Sequence, residues 1–342
     1  MKKRVQIRWQ DVVPFIAFAA IFIFFSVASG GKMLSAYNLK TLLDQSMVVV
    51  VMGCGMLFVV AQGSIDLSVG VNLALSGVFG VWLCLATGAP WLMIPAALVC
   101  GLAVGLLNGL LVSKLKVPSF MLTIAMLIGV RGIVNYIQQY VGTQTMPEAL
   151  VFLNQPQFKI PLFIVIIVIM IYLFEFTKIG RYSRAIGENE TAAEYVGISV
   201  AKIKTIAFAL SGLMAGVGAF FSIVGVGGTS QTMGVFMEMK VAMAVFLGGV
   251  LVTGGASAKI YKVLLGSFSI IIIVNGLALI GHPESQISES VEGVLLLLIL
   301  LATILATRRD RRGGRKAPDN NEISENSYSG PEDPHTYSDV TR

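Results

Sequence analysis

Ten stretches of this 342-residue chain are each long and apolar enough to cross a bilayer, and nothing else in the sequence limits the fold as much. A helix needs about 20 mostly apolar residues to span the hydrocarbon, where its backbone must satisfy its own hydrogen bonds. The stretches are 12–28, 42–62, 71–88, 91–112, 119–140, 160–177, 203–226, 239–254, 262–281 and 291–307. Hydrophobic residues make up 55% of the chain and charged residues 13%, against roughly 25% charged in a soluble domain. No soluble core hides that much apolar surface. The sequence predicts an all-α polytopic membrane protein with about ten transmembrane helices, divided into an N-terminal segment 1–11, a transmembrane domain 12–307 and a polar tail 308–342.

Charge then orients the spans. The formal net charge is +6, but residues 317–342 hold one basic and six acidic groups, so residues 1–316 carry 24 basic against 13 acidic, a net +11. With ten spans and an inner N-terminus, 20 of the 25 Lys and Arg residues fall on inner segments, and only Lys32, Lys40, Lys159 and Lys240 fall at the outer side. Basic residues concentrate on the cytoplasmic side of membrane proteins, so both termini are expected in the cytoplasm of a cell-membrane protein. The excess charge is thus no nucleic-acid signal. The start, MKKRVQIR followed by an apolar run and SVAS at 26–29, also resembles a cleaved signal peptide. Removing it would leave an odd number of spans and break the charge pattern, so it is read as an uncleaved first helix.

Ten spans divide into two sets of five, which places the second set upside-down relative to the first, an arrangement common in transporters. Asn108-Gly109 in the fourth run and Asn275-Gly276 in the ninth occupy equivalent positions in the two halves. The tail, polar and acidic, cannot bury enough surface to fold alone.

Catalytic chemistry is missing from the pattern. The two histidines, His282 and His335, have no ligand-spaced neighbours, and no G-x-x-x-x-G-K-[ST] phosphate loop is present. The cysteines Cys54, Cys84 and Cys100 lie inside apolar runs without metal-ligand spacing and read as small buried side chains. No cofactor or metal is expected on this chain, and its energy source must be an ion gradient or another subunit. Intramembrane carboxylates would mark proton or ion coupling. Glu175, Glu238 and Glu292 all lie near span ends and Arg131 lies within a span, so coupling to an ion has thin support.

Between two of the apolar runs stands GSIDLSVG, residues 63–70. Asp66 or Ser68 can cap the following helix at its positive dipole end, and Gly63 and Gly70 permit tight turns or close backbone approach. A broken helix is tolerated at membrane depth only against protein or a water-filled cavity. Asp66, Ser68 and Asn72 are therefore candidates both for architecture and for a gate. Asn108, Asn135 and Asn275 are further pathway candidates, because amides donate and accept toward solute hydroxyls; amides also glue helices together.

The longest inner connection, KIGRYSRAIGENETAAEYVGISVAK at 178–202, contains its own small helix. Thr191 and Glu194 match a T-x-x-E capping box, and Gly197 supplies a stop. Ala192, Ala193, Tyr195 and Val196 give it a partly apolar surface. A helix packed under its own bundle or one that docks into a partner would each account for it.

Motifs in four regions, taken together, resemble one family. RYSRAIGENETAAEYVGISVAKIKTIAFALSGLMAG (181–216) carries an AIG-x-N element, paired alanines and a G-[IV] pair. GSIDLSVGVNLALSGV (63–78) is similar to a GGIDLSVG element, with Ser64 replacing its second glycine. GLLNGLLVSKLKVPSFMLTIAMLIGVRG (105–132) carries NGLLV, a K-[LI]-x-[VI]-P-x-F-x-x-T run and RG. The region 245–267 keeps the Gly-Gly pairs and departs at Lys259 and Tyr261, where small residues are usual. The chain resembles, over about residues 40–306, the permease subunits of ribose/galactose-type ABC sugar importers, within the branched-chain amino acid and monosaccharide permease superfamily.

That resemblance implies a type II ABC importer-like subunit that pairs with a second copy or a sister permease. A separate ABC ATPase, carrying ATP and Mg, would grip the helix formed by Glu190, Thr191, Ala192, Ala193, Glu194, Tyr195, Val196 and Gly197. An extracytoplasmic solute-binding protein would deliver a monosaccharide or similar polar solute. A nucleoside cargo, an ion-coupled secondary transporter and a membrane-embedded enzyme are the other readings.

Overall fold

The computed structural model describes residues 9–281 and scattered helical positions between 287 and 301. Within that range the chain is helical: α1 (Trp9–Ala28), α2 (Ala36–Val60), α3 (Val69–Thr87), α4 (Met93–Lys114), α5 (Ser119–Val141), α6 (Pro156–Ile171), α7 (Lys178–Glu188), α8 (Glu190–Tyr195), α9 (Val200–Val226), α10 (Met237–Leu247) and α11 (Ile260–Leu279). A five-residue π-turn, Tyr172–Phe176, extends α6. Among the described residues seven helices are long and apolar enough to cross a membrane, and Val12–Ala28 is a shorter apolar one. Most of the tenth expected run, the tail, the first eight residues, His282, Glu292 and His335 lie outside the described residues.

The eighth expected span, 239–254, requires correction. It is a half-length helix, α10, that stops at Leu247 and gives way to irregular chain as far as Lys259. Gly249, Gly254 and Gly255 there have φ of +86°, +72° and +69°. Those left-handed conformations suit glycine and break a helix, although the segment is apolar enough to pass a hydropathy test.

Helices α2 and α9 form the centre and pack along each other. Their neighbours approach through small residues, as membrane helices do when van der Waals contact rather than water exclusion drives association. On α4, Gly101, Gly105 and Gly109 recur every four residues against α9: the first two face Gly212, Gly101 also faces Gly216, and Gly109 lies against Thr205 and Phe208. A Cβ on Gly101 would lie 2.5 Å from the Gly212 carbonyl oxygen, and one on Gly216 would lie 2.6 Å from that of Ala97. Backbones this close leave no room for a side chain. Gly212→Leu is expected to cut the yield of monodisperse, detergent-extracted protein more than tenfold, because overpacking here costs upward of about 3 kcal/mol. Gly129→Leu is the control: its Cβ would meet nothing within 4 Å. Size-exclusion profiles of the tagged variants test both.

The bundle has two chemically different ends. The C-terminal ends of α2 and α4, the N-terminal ends of α9 and α11, and α7 and α8 share one end. Lys114, Lys116, Lys178, Arg181, Lys202 and Lys259 all belong to that end of the chain path. The opposite end holds the start of α2 and α6 and the end of α9.

Candidate functional site

The break between α2 and α3 is organised by Asp66. Its Oδ1 accepts from the Ser68 backbone N–H at 3.0 Å and from the Ser68 hydroxyl at 2.6 Å, and its Oδ2 accepts from the Ser211 hydroxyl of α9 at 2.8 Å. Asn108 of α4 donates through Nδ2 to Ser68 Oγ at 2.8 Å. All four side chains are buried. Three helices are thus pinned to one turn. The expectation that Ser68 caps α3 with its side chain is corrected: Ser68 is the N-cap residue but makes no side-chain cap bond, its hydroxyl instead accepting from Asn108 and donating to Asp66, while Asp66 accepts from the Ser68 backbone N–H at the entry to the helix.

Asn72 is buried as well. It donates to the Gly101 carbonyl at 3.1 Å and accepts from Ser76 at 3.3 Å, joining α3 to α4. Asn135 lies on an exposed face of α5, and Asn275 is half-buried on α11. The two Asn-Gly pairs therefore sit in unlike surroundings: Asn108 is bonded inside the bundle, and Gly276 backs onto Phe25 of α1.

A second break, between α9 and α10, meets the first. Gly70 at the start of α3 lies against Gly234 and Glu238, so the N-termini of α3 and α10 come together inside the protein. Phe236, the residue before α10, has φ +57°, a strained value for a side chain of that size. Helix α5 clamps this segment. Arg131 Nη1 donates to the Met233 carbonyl at 2.9 Å, and Gln138 Nε2 donates to that of Ser230 at 2.8 Å. Arg131, read from sequence only as a charge within a span, thus has a backbone to hold.

At the basic end, α7 and α8 form a platform. Thr177 caps α7 by accepting from the Ile179 N–H at 3.2 Å. The cap of α8 is Asn189, whose Oδ1 accepts from the Ala192 N–H at 2.9 Å. This replaces the expected Thr191–Glu194 box, because the helix already begins at Glu190. The other end follows the Schellman pattern: Ile198 N–H donates to the Ala193 carbonyl at 3.0 Å and Gly197 N–H to that of Glu194 at 2.9 Å, with Gly197 at φ +83°. Ala193, Ile186, Val200 and Ile203 form a small core beneath it. Tyr195 and Val196 are 87% and 77% exposed. Glu190 pairs with Lys204 at 2.8 Å, and Thr191, Ala192 and Glu194 face outward.

This platform is tied to the Asp66 break. Gln62, four residues before Asp66, donates to Ser183 Oγ of α7 at 3.0 Å and to the Ile203 carbonyl at 3.3 Å. Gly255 N–H donates to the Ala61 carbonyl at 3.0 Å, and Ala256 N–H donates to Glu188 Oε1 of α7 at 2.7 Å. Displacing α7 therefore displaces the end of α2 and the chain after α10 together.

The opposite end holds a cavity of about 460 Å³ between α2, α9, α10 and α11. Thr41, Asp44, Gln45, Ser222 and Lys240 supply its polar wall, and Val48, Phe221, Ile271 and Val274 its apolar one. That volume lies in the small-molecule range, about 300–1,000 Å³. None of the six polar pathway residues expected from sequence lines it, although Asn275 adjoins Val274. Asp44 carries no motif that marks it in the sequence. Its partner Lys159 stands 115 positions away, and no local pattern connects them. Among the described residues no group of three or more His, Cys, Asp or Glu could hold a metal ion.

Bilayer-length helices around two buried breaks, with a capped polar platform at one end and a cavity at the other, define a multi-pass membrane permease. The chain belongs to the family described as the permease component of the branched-chain amino acid transport system, which matches residues 38–304. It is 32% identical to the ribose import permease protein RbsC of Escherichia coli (strain K12) over 77% of this chain and 84% of that protein. It is 28% identical to the xylose transport system permease protein XylH of Haemophilus influenzae, over 89% of this chain and 98% of that protein. Identity to the fructose import permease protein FrcC of Rhizobium meliloti is also 28%, over 84% and 83%.

Proposed function

We propose that this chain is the transmembrane subunit of an ATP-driven importer that moves a monosaccharide across the cell membrane by alternating access. One observation carries the reading. A helix capped at both ends presents Tyr195 and Val196 to solvent, and the platform beneath it is bonded through Gln62 to the broken helix at Asp66, and through Ala256 to the chain whose Gly255 bonds Ala61. A push on α8 from a partner would reach the centre of the bundle without passing through flexible chain. The names of the relatives, import permeases for ribose, xylose and fructose, supply the cargo class.

In this reading the basic end carrying α7 and α8 faces the cytoplasm, following the positive-inside bias, and both termini lie there. ATP and Mg bind a separate ABC ATPase subunit, which docks on the 190–197 helix. The cavity opens toward an extracytoplasmic solute-binding protein. A second copy or a sister permease completes the pair. Two inverted halves are supported by the packing: α4 lies on α9 as α11 lies on α2, and α3 lies on α4 as α10 lies on α11. Asp66, Ser68, Asn72 and Asn108 act as the pivot of the switch rather than as solute ligands, since all are buried and bonded to protein.

The test is purification of the tagged chain from its own membranes in mild detergent, with mass spectrometry of what accompanies it. A stoichiometric ATPase is expected. Its reproducible absence from otherwise intact protein would overturn the reading in favour of a gradient-driven transporter.

A further inference from the structure

Asp44 stands on the first third of α2, at the end of the bundle away from the platform. Its Oδ1 accepts an ion-pair bond from Lys159 Nζ at 2.9 Å. The Lys159 side chain is 3% exposed and that of Asp44 is 32% exposed. The ammonium thus lies behind the carboxylate, and the carboxylate faces the cavity. Asn154 holds the ammonium from another side, accepting at 3.1 Å. Gly225 of α9 borders the ammonium, a Cβ there standing 4.0 Å from Lys159 Nζ, as the lysine reaches inward from α6.

A buried ammonium is costly, and as a device for stability alone an ion pair is no better than an apolar pair of the same volume. This pair does something an apolar pair does not. It fixes a charged acceptor on the wall of a solute-sized cavity. Thr41, one turn before Asp44, and Gln45 beside it add a hydroxyl and an amide, and Ser222 adds a hydroxyl from α9. Lys240, from α10, contributes a cation to the same wall. A carboxylate accepts only, an ammonium donates only, and hydroxyl and amide groups do both. Together they match a solute bearing several hydroxyls, each able to give and take a hydrogen bond. The apolar wall of Val48, Phe221 and Ile271 suits the C–H face such a solute turns away from its hydroxyls. The Asp44 carboxylate is already paired with Lys159, so it offers an acceptor without an unpaired charge for a cationic solute to neutralise.

We propose that this cavity is a way-station for a neutral polyhydroxylated solute and that Asp44, positioned by Lys159, is its hydroxyl acceptor. The proposal rests on the importer reading above and assigns a specificity-determining residue to it.

The experiment reconstitutes the chain, with the ATPase and solute-binding protein that purify with it, into liposomes supplied with D-ribose, D-xylose or D-fructose. Sugar taken up per ATP hydrolysed is measured for the native chain, Asp44→Asn and Asp44→Glu. Asp44→Asn is expected to lower that ratio at least tenfold through a raised KM, and Asp44→Glu to restore most of it. A purely structural role would reduce uptake and hydrolysis in proportion. An unchanged ratio in Asp44→Asn overturns the proposal.

A second arm needs neither ATPase nor transport. Ser222→Cys, in a chain carrying Cys100→Ala, is labelled with a membrane-impermeant thiol reagent in the presence of each sugar at high concentration. Slower labelling with at least one sugar when Asp44 is present, and no such protection in Asp44→Asn, supports the assignment. Labelling indifferent to all three sugars in both chains overturns it. The absence of a co-purifying ATPase defeats the importer reading alone, so the two failures are told apart.

Discussion

Asp66→Ala is expected to abolish transport and to destabilise the folded chain by about 3–5 kcal/mol. The carboxylate receives three hydrogen bonds, two from Ser68 and one from Ser211, in a place without solvent. Removing it strands an N–H and two hydroxyls, and each buried polar group left without a partner costs roughly 1–3 kcal/mol. Asn108, which donates to Ser68, loses its fixed acceptor as well. Asp66→Asn should be far milder, at about 1 kcal/mol, because the amide oxygen still accepts from Ser68 and its nitrogen can donate to Ser211 Oγ. Heating the detergent-extracted variants before size-exclusion chromatography gives the order, and uptake assays give the functional loss. If Asp66→Ala matched the native chain in both, the break would not be held by this network.

The second large effect concerns α8. Tyr195→Asp combined with Val196→Asp should release the ATPase while leaving the permease fold intact. Both side chains are more than three-quarters exposed and outside the small core formed by Ala193, Ile186, Val200 and Ile203. An aromatic anchor buried at a partner surface commonly contributes about 2 kcal/mol or more, which is roughly a thirty-fold change in dissociation constant. The readout is the amount of ATPase retained per permease in a pull-down, beside a melting profile of the permease itself. Full retention would remove α8 as the docking point; an early melt would mean that the residues serve the fold.

The sequence and the structure agree where physics is local. Span length is set by the bilayer, so α2 to α6, α9 and α11 are legible from apolar runs alone. Helix α10 is not, because hydropathy measures apolarity and says nothing of whether Gly248-Gly249 and Gly254-Gly255 keep helical dihedrals. Those pairs were the available signal. The box at Thr191 and Glu194 failed by one element: Asn189 caps first, which makes Glu190 helical and leaves Thr191 with nothing to cap.

The rest was illegible for a different reason. Asp66 with Ser211, Gln62 with Ser183, and Asp44 with Lys159 join residues more than a hundred positions apart. One chain read in order shows each as an isolated polar residue, open to a structural or a functional account. The polar residues of GSIDLSVG were the easier case, because an aspartate and two serines between apolar runs require an explanation. Asp44 raised no such demand, being close enough to a span end to pass for an edge charge.

The length of α8 has a kinetic consequence. A helix of six residues has too few internal hydrogen bonds to outweigh its nucleation cost, so it exists only through its two caps and the small core under Ala193. It is expected to form and fray as a unit separate from the long spans, so hydrogen exchange on the free chain should find its amide protons exchanging ahead of theirs. On the proposed reading, the segment a partner would push on is therefore also the one it must first hold still. Part of the energy of that proposed docking would go into ordering α8, so tight coupling would require the partner to be in place.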